Sequence, residues 1–276
     1  MSPEPRVPTV ISIAGSDSGG GAGIQADLKA FARCGVHGTT AITALTAQNT
    51  VGVDSVVATP PEMIVAQVRA VASDIGIDAV KIGMLGNEET IDAVIESLAL
   101  VGEVPVVLDP VMVSESGAML LDPDAKAALI ERLLPLVSVA TPNLPEAREL
   151  AGRREGGTQR ELGETILALG PKAVIVTGGH TEKGADVLVD ENGYLEIEGP
   201  RFADGAAHGS GCTHSSSVAA LLARGMDLDE AARWAREIAA EAVGEGLREI
   251  GAGPGPVDVL GVRRRNPAQP PRGQGA

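Results

Sequence analysis

The chain has 276 residues, with 37 acidic against 22 basic side chains and a formal net charge of −15. A surface this negative, with four aromatic residues in all, offers neither the basic stripe nor the stacking platform that nucleic-acid binding needs. No apolar run reaches membrane-spanning length and MSPEPRVPTV lacks the apolar core of a secretion signal, so neither a membrane nor an export role is expected. Cys34 and Cys212 make no disulfide framework and lack the paired spacing of a zinc site, so a reducing cytoplasm is the expected compartment. Only five of the basic residues are lysine, a composition that suits a high-salt cytoplasm and an arginine-biased genome alike.

In chain order, Val10 to Ala14 reads as a buried strand ending in the glycine-rich loop Gly15 to Gly23. A helix follows with Ile24, Leu28 and Phe31 on one face. Strand-like runs recur at Thr40–Leu45, Ala79–Ile82, Val104–Leu108, Val137–Thr141 and Ala173–Val176, with helical patterns around 60–75, 88–101, 122–134 and 158–169. This alternation predicts an α/β fold: a mostly parallel sheet with helices on both faces. Between Asp186 and Glu198 two alternating segments flank Asn192-Gly193, which predicts a small hairpin. A Gly-rich stretch (204–211), a helix over 213–223 and a last helix over 228–248 complete the pattern. One domain is expected over 7–262, after a short extension (1–6) and before a basic, Pro/Gly-rich tail (263–276) with no apolar periodicity, expected to be disordered.

Three segments carry candidate chemistry. The loop Gly15 to Gly23 reads either as a tight strand-to-helix turn or as a ligand-wrapping loop. A dinucleotide site, and with it an NAD-type oxidoreductase, is disfavoured, because Ala41 to Ala47 stands where the ribose-binding carboxylate belongs. His208-Gly209-Ser210-Gly211-Cys212-Thr213 opens a helix, where backbone N–H groups converge on the positive end of the helix dipole and Cys212 falls in the first turn. That placement predicts a lowered thiol pKa and a phosphate-transfer site. Asn143 and Glu146, in Thr141-Pro142-Asn143-Leu144-Pro145-Glu146, read either as a capping box or as groups that order the water shell of Mg²⁺. Asp109, at the end of Val106-Val107-Leu108, is open between turn capping and ligand binding. His180 and His208 read more readily as loop hydrogen-bonding residues than as catalysts.

Taken together, the motifs resemble those of the hydroxymethylpyrimidine/phosphomethylpyrimidine kinases of thiamine biosynthesis, members of the ribokinase superfamily. The segments that carry the resemblance are Ala14–Lys29, Ile42–Thr50, Lys81–Leu85, Leu108–Met112, Thr141–Glu146, Gly178–His180 and His208–Thr213, all in family order. The resemblance implies a single ribokinase-like domain and an ATP- and Mg²⁺-dependent phosphotransferase. Its substrate would be 4-amino-5-hydroxymethyl-2-methylpyrimidine and then the monophosphate, with a homodimer compatible.

It further implies that Gln48 hydrogen-bonds the aminopyrimidine, with Gly15, Met84 and Val111 lining its pocket and Asp27 as an additional substrate residue. Gly209, Gly211 and Cys212 would form the anion hole, with Cys212 as base. Ser210, Asn143, Glu146 and Asp109 would serve the ATP end, the two carboxylates holding Mg²⁺ through water. The chain departs from many relatives at Thr177, where a lysine is usual, and at Gly205-Ala206-Ala207, where Lys-Asn-Thr is usual. A pyridoxal/pyridoxine kinase on the same scaffold and a weakly active ligand-binding relative are the alternatives.

Overall fold

Strand β1 (Thr9–Asp17) is apolar and almost wholly buried, and its neighbouring residues split between two cores. Ile11 and Ile13 face one layer, with Ile64, Val68, Ile91, Leu133 and Leu162, while Val10 faces the other, with Phe31, Val218, Ala231 and Ile238. Burial on both faces is what a parallel sheet sandwiched by helices requires. The computed structural model describes residues 6–113, 117, 119–179, 184–202 and 205–264.

The described residues form one nine-stranded sheet in the order β3-β2-β1-β4-β5-β6-β7-β8-β9. Strands β1, β2 (His37–Gln48), β4 (Ala79–Ile82), β5 (Val106–Leu108), β6 (Val139–Ala140) and β7 (Ala173–Val176) run parallel. At the edges, β3 (Val53–Ala58), β8 (Asp186–Asp190) and β9 (Gly193–Ile197) pair antiparallel. The expected hairpin is β8–β9, closed at Asp190↔Gly193 with the Asn192 N–H donating to Asp190 Oδ1. Helices α2 (Pro61–Asp74), α3 (Glu88–Leu98), α4 (Ala125–Ala128), α5 (Leu144–Leu150) and α6 (Gln159–Leu167) cover one face. Helices α1 (Gly23–Arg33), α7 (Ser210–Ala223) and α8 (Leu228–Gly244) cover the other. The expected α/β architecture is therefore the observed one.

Several boundaries differ for local reasons. Strand β3 has no counterpart in the sequence pattern: its residues are almost all exposed, so no burial period marks it. It forms because Asn49 Oδ1 accepts the N–H groups of Val51 and Gly52 and turns the chain back along β2. The helix expected over 122–134 starts later, at Ala125, and continues through a widened turn until Pro135 stops it. Helix α5 is a separate element, started by a reciprocal Asn143–Glu146 capping box. The tail beyond Arg264 lies outside the described residues, and within them no helix is long and apolar enough to cross a membrane.

Strands β2 and β4 lie on opposite sides of β1, so the strand order reverses there. Ligands of open α/β sheets bind beyond the carboxyl ends of the strands at such a point.

Candidate active site

A cavity of about 400 Å³ occupies that position. It is walled by the ends of β1, β2, β4, β5, β6 and β7 and by the first turn of α7. Gly15, Gln48, Met84, Val111, Asp109, Asn143, Glu146, Gly209, Ser210, Gly211 and Cys212 all line it, although they come from segments spread along most of the chain.

Sterics require glycine at Gly209 and favour it at Gly15. A Cβ on Gly15 would meet Met84 Sδ at 3.0 Å. Gly209 caps α7 with φ +87°, and a Cβ there would lie 1.8 Å from the Gly21 carbonyl oxygen. Gly211 differs, since a Cβ there would meet nothing within 4 Å among the described residues, which leave the helix end open. The Ser210 N–H donates to the Ala207 carbonyl, whereas the N–H groups of Gly211 and Cys212 meet no protein acceptor among the described residues. Two unpaired donors at the positive end of a helix dipole are suited to receive an anion.

Behind Cys212 lies a buried charge cluster that sequence reasoning missed. Lys81, fully buried in β4, places Nζ 2.9 and 3.1 Å from the two Asp27 oxygens and 3.9 Å from Asp109 Oδ2. Ser12 and Ser216 hydroxyls donate to Asp27 at 2.5 and 2.7 Å, and the Ser215 hydroxyl donates to Asp109 at 3.2 Å. Asp27 therefore does not line the cavity as a substrate residue: it has no exposed surface and is the counter-ion of Lys81. Burial alone pushes Lys81 down, but Asp27, Cys212 and Asp109 beside it raise it well above its ordinary value. The available signal was a single charge inside the apolar strand Ala79-Val80-Lys81-Ile82.

The expected lowering of the Cys212 thiol is reversed. Burial pushes it up to about 12, and Asp109 and Asp27 add to that rise, against the smaller opposing pulls of Lys81 and the Gly23 N–H. The residue as a whole is half-buried, so the rise reflects the desolvated surroundings of the thiol.

Asn143 and Glu146 form the capping box in full: the Glu146 N–H donates to Asn143 Oδ1 and the Asn143 N–H to Glu146 Oε2, each at 2.9 Å. Burial, with Asp109 beside it, pushes Glu146 up to about 8 despite the Asn143 and Met112 N–H groups. Asp109 is likewise raised by burial and by Asp27, more than Lys81 and Ser215 lower it. Two buried, mutually repelling carboxylates at one end of the cavity suit a divalent cation. No cluster of three or more His, Cys, Asp or Glu that could cage a metal occurs among the described residues.

The same repulsion yields a stability prediction. A carboxyl raised from 4.5 to about 8 favours the folded state below its unfolded pKa, and that contribution is lost as pH rises toward 8. Glu146→Gln keeps an acceptor for the Asn143 N–H and removes the charge. The nucleotide-free variant should melt about 2–4 °C higher than the parent at pH 8, corresponding to roughly 1 kcal/mol, with a smaller gain at pH 5, while turnover falls. A melting temperature at pH 8 equal to or below the parent's would show that the two carboxylates do not repel.

Thr177 lines the cavity, its N–H donating to the Pro142 carbonyl, so the ends of β6 and β7 are paired there. Arg201 and Arg236 line the far end instead. His180 lies outside the described residues. His208 is a hydrogen-bonding residue, paired with Asp17, a partner that no local signal indicates across 191 positions.

A parallel sheet with its cavity at the strand-order switch, a helix N-terminus offering free N–H groups and carboxylates at one end define a ribokinase-like phosphotransferase. The phosphomethylpyrimidine kinase family matches residues 17–258, and the chain belongs to that family. It is 48% identical over 253 residues to the hydroxymethylpyrimidine/phosphomethylpyrimidine kinase of Rhizobium meliloti (strain 1021), covering 90% of this chain and 95% of that one. Of solved structures, it is similar to phosphomethylpyrimidine kinase from Clostridium difficile 630, with a TM-score of 0.74 and 41% identity over 84% of this chain and 96% of the other. An ADP complex of Bacillus subtilis pyridoxal kinase superposes with a TM-score of 0.85 at 36% identity, covering 94% and 100% of the two chains.

Proposed function

We propose that the chain transfers the γ-phosphoryl group of ATP to the hydroxymethyl group of 4-amino-5-hydroxymethyl-2-methylpyrimidine, and then to the resulting monophosphate, giving the pyrophosphate for thiamine phosphate synthesis. The observation that carries this reading is that Gln48, Gly15, Met84 and Val111 share one cavity with the free N–H groups of Gly211 and Cys212. An alcohol held by the first group faces an anion held by the second. Phosphoryl transfer needs chiefly such positioning and donors for the equatorial oxygens. Cys212, at the meeting point, is the proposed acceptor of the alcohol proton. Asp109 and Glu146 would hold Mg²⁺ through water, with Asn143 and Ser210 beside the phosphates; bound there, the ion supplies charge neutralisation of the phosphate oxygens.

Steady-state rates with MgATP and the aminopyrimidine alcohol, its monophosphate or pyridoxal test the reading. Turnover of both pyrimidines is expected, whereas faster turnover of pyridoxal would favour the second reading, a pyridoxal kinase, which the superposition on the Bacillus subtilis enzyme supports.

Gln48 gives a sharper test of the acceptor pocket. The Thr46 hydroxyl lies 3.1 Å from Gln48 Oε1, which leaves the amide NH₂ for the cavity. Gln48→Leu should leave a ligand polar group unpaired, costing about 1–3 kcal/mol, so kcat/KM for the pyrimidine falls roughly 10- to 100-fold. An unchanged kcat/KM would mean that Gln48 does not read the ring.

A homodimer and a cytoplasmic location belong to the same proposal. The β2–β3 edge exposes Leu45 and Val57 as cross-strand partners on one face, with Val56 on the other and Val51 in the turn between the strands, apolar side chains that a second copy can cover. Light scattering should give twice the chain mass, and Val56→Asp with Val57→Glu should give the monomer; a parent that scatters as a monomer would end the dimer proposal.

A further inference from the structure

Two segments bring the proposed reactants together, and they come from opposite ends of the chain. The end of β1 carries Gly15, and the loop that follows it leads to Gly23 at the start of α1, whose N–H faces the Cys212 thiol. The N-cap and first turn of α7 carry Gly209 to Cys212. Their relative placement sets the separation between a bound alcohol and a bound phosphate.

What joins them is Asp17 and His208. His208 Nε2 lies 3.1 Å from Asp17 Oδ2, and both residues are more than nine-tenths buried. Asp17 is itself fixed, accepting the N–H groups of Gly19, Gly21 and Ala22 at 2.7, 3.0 and 2.8 Å. Its carboxyl sits below the ordinary range: burial pushes it up, and the His208 contact with the Ala22 and Gly19 N–H groups outweighs that push. A carboxylate only accepts, so His208 Nε2–H donates. The His208 carbonyl in turn accepts the Val257 N–H at 3.1 Å, which anchors the histidine from behind.

Shape repeats what charge does. A Cβ on Gly21 would lie 2.1 Å from His208 Cδ2, so the absence of a side chain at position 21 is what lets the ring reach Asp17. Gly21 does not have positive φ, so the backbone there does not itself call for glycine.

We propose that Asp17 and His208 are a positioning pair that locks the acceptor loop onto the first turn of α7, and that Gly21 is the gap into which the lock fits. Asp17 and His208 both border the cavity, but in this reading the pair contacts neither reacting group. It acts through the placement of Gly23 and Gly209 to Cys212, and so on turnover more than on the affinity for either substrate. The inference rests on the proposed kinase reaction but not on which alcohol is phosphorylated.

Its test uses the full chain and whichever alcohol the parent phosphorylates, so a parent that prefers pyridoxal overturns the substrate assignment and leaves the pair to be judged. His208→Ala should lower kcat at saturating MgATP and alcohol at least tenfold, with both KM values within about threefold of the parent. His208→Gln, which keeps a donor toward Asp17, should restore part of the loss. Gly21→Ala should lower kcat in the same way by pushing the ring out, and Gly21→Ala combined with His208→Ala should be no worse than His208→Ala alone, because the added methyl then has room. Asp17→Asn with His208→Ala should likewise fall no further than the worse single variant. A His208→Ala enzyme within threefold of the parent in kcat would overturn the proposal, as would losses that simply multiply in the double variants. If His208→Ala does not fold, Gly21→Ala and His208→Gln decide the matter: parental kcat in Gly21→Ala overturns it.

Discussion

Replacing Cys212 by alanine is expected to lower kcat at least a hundredfold while fold and nucleotide binding persist, and replacement by aspartate is expected to recover part of that loss. A positioned proton acceptor contributes about 10²- to 10⁴-fold, and a hundredfold corresponds to about 2.7 kcal/mol of barrier. The thiol is placed to accept a proton. It lies in the first turn of α7 beside the free N–H groups, with the Lys81 ammonium and the Gly23 N–H to favour the thiolate. Burial and the Asp109 and Asp27 carboxylates oppose them and hold the thiol up at about 12. The parent should therefore show kcat rising with pH through the neutral and alkaline range rather than levelling off near neutrality, because the thiolate fraction grows about tenfold per pH unit below the pKa. The alanine variant should lose that rise. Turnover of Cys212→Ala within tenfold of the parent, with the same pH profile, would mean that backbone positioning carries the reaction without a thiolate.

The reversal at Cys212 shows where local reading ends. The helix N-terminus is a sequence-local effect and visible in His208-Gly209-Ser210-Gly211-Cys212-Thr213, whereas Asp27 and Asp109 reach the thiol only through the packing of α1 and β5 against α7. Asp27 misleads for the same reason: a carboxylate in a glycine-rich motif resembles a ligand group until its partner, 54 residues away in β4, is seen. Periodic features are legible, among them the buried runs of β1, β4 and β7 and the Asn192-Gly193 hairpin, because burial on both faces and turn chemistry are written in adjacent residues. Strand β3 is not, since an exposed edge strand carries no burial period. Cavity residues are legible in a third way, since their order and spacing match a known set of motifs. That match places Gln48 and Glu146 in a site without indicating what surrounds them.

The buried ion pair behind the site leads to the largest expected effect on stability. Lys81 and Asp27 are both fully buried, with Nζ 2.9 Å from Oδ1. Removing one partner of such a pair leaves a charge without solvent or counter-ion and costs about 3–5 kcal/mol, whereas replacing both partners is often close to neutral. Lys81→Met fills a similar volume and should lower the melting temperature by roughly 6–20 °C, at the few degrees per kcal/mol typical of a chain this size. Lys81→Met combined with Asp27→Asn should regain at least half of the loss, since one of the Ser12 and Ser216 hydroxyls still donates to the amide oxygen and the other can turn to accept from the amide NH₂. Activity should not return with stability. The double variant still lacks the ammonium that favours the Cys212 thiolate, a pull larger than the opposing push of Asp27. A single variant that melts within about 2 °C of the parent, or a double variant no more stable than the single, would show that the cluster is solvated or rearranged and that Asp27 does not depend on Lys81 for its charge.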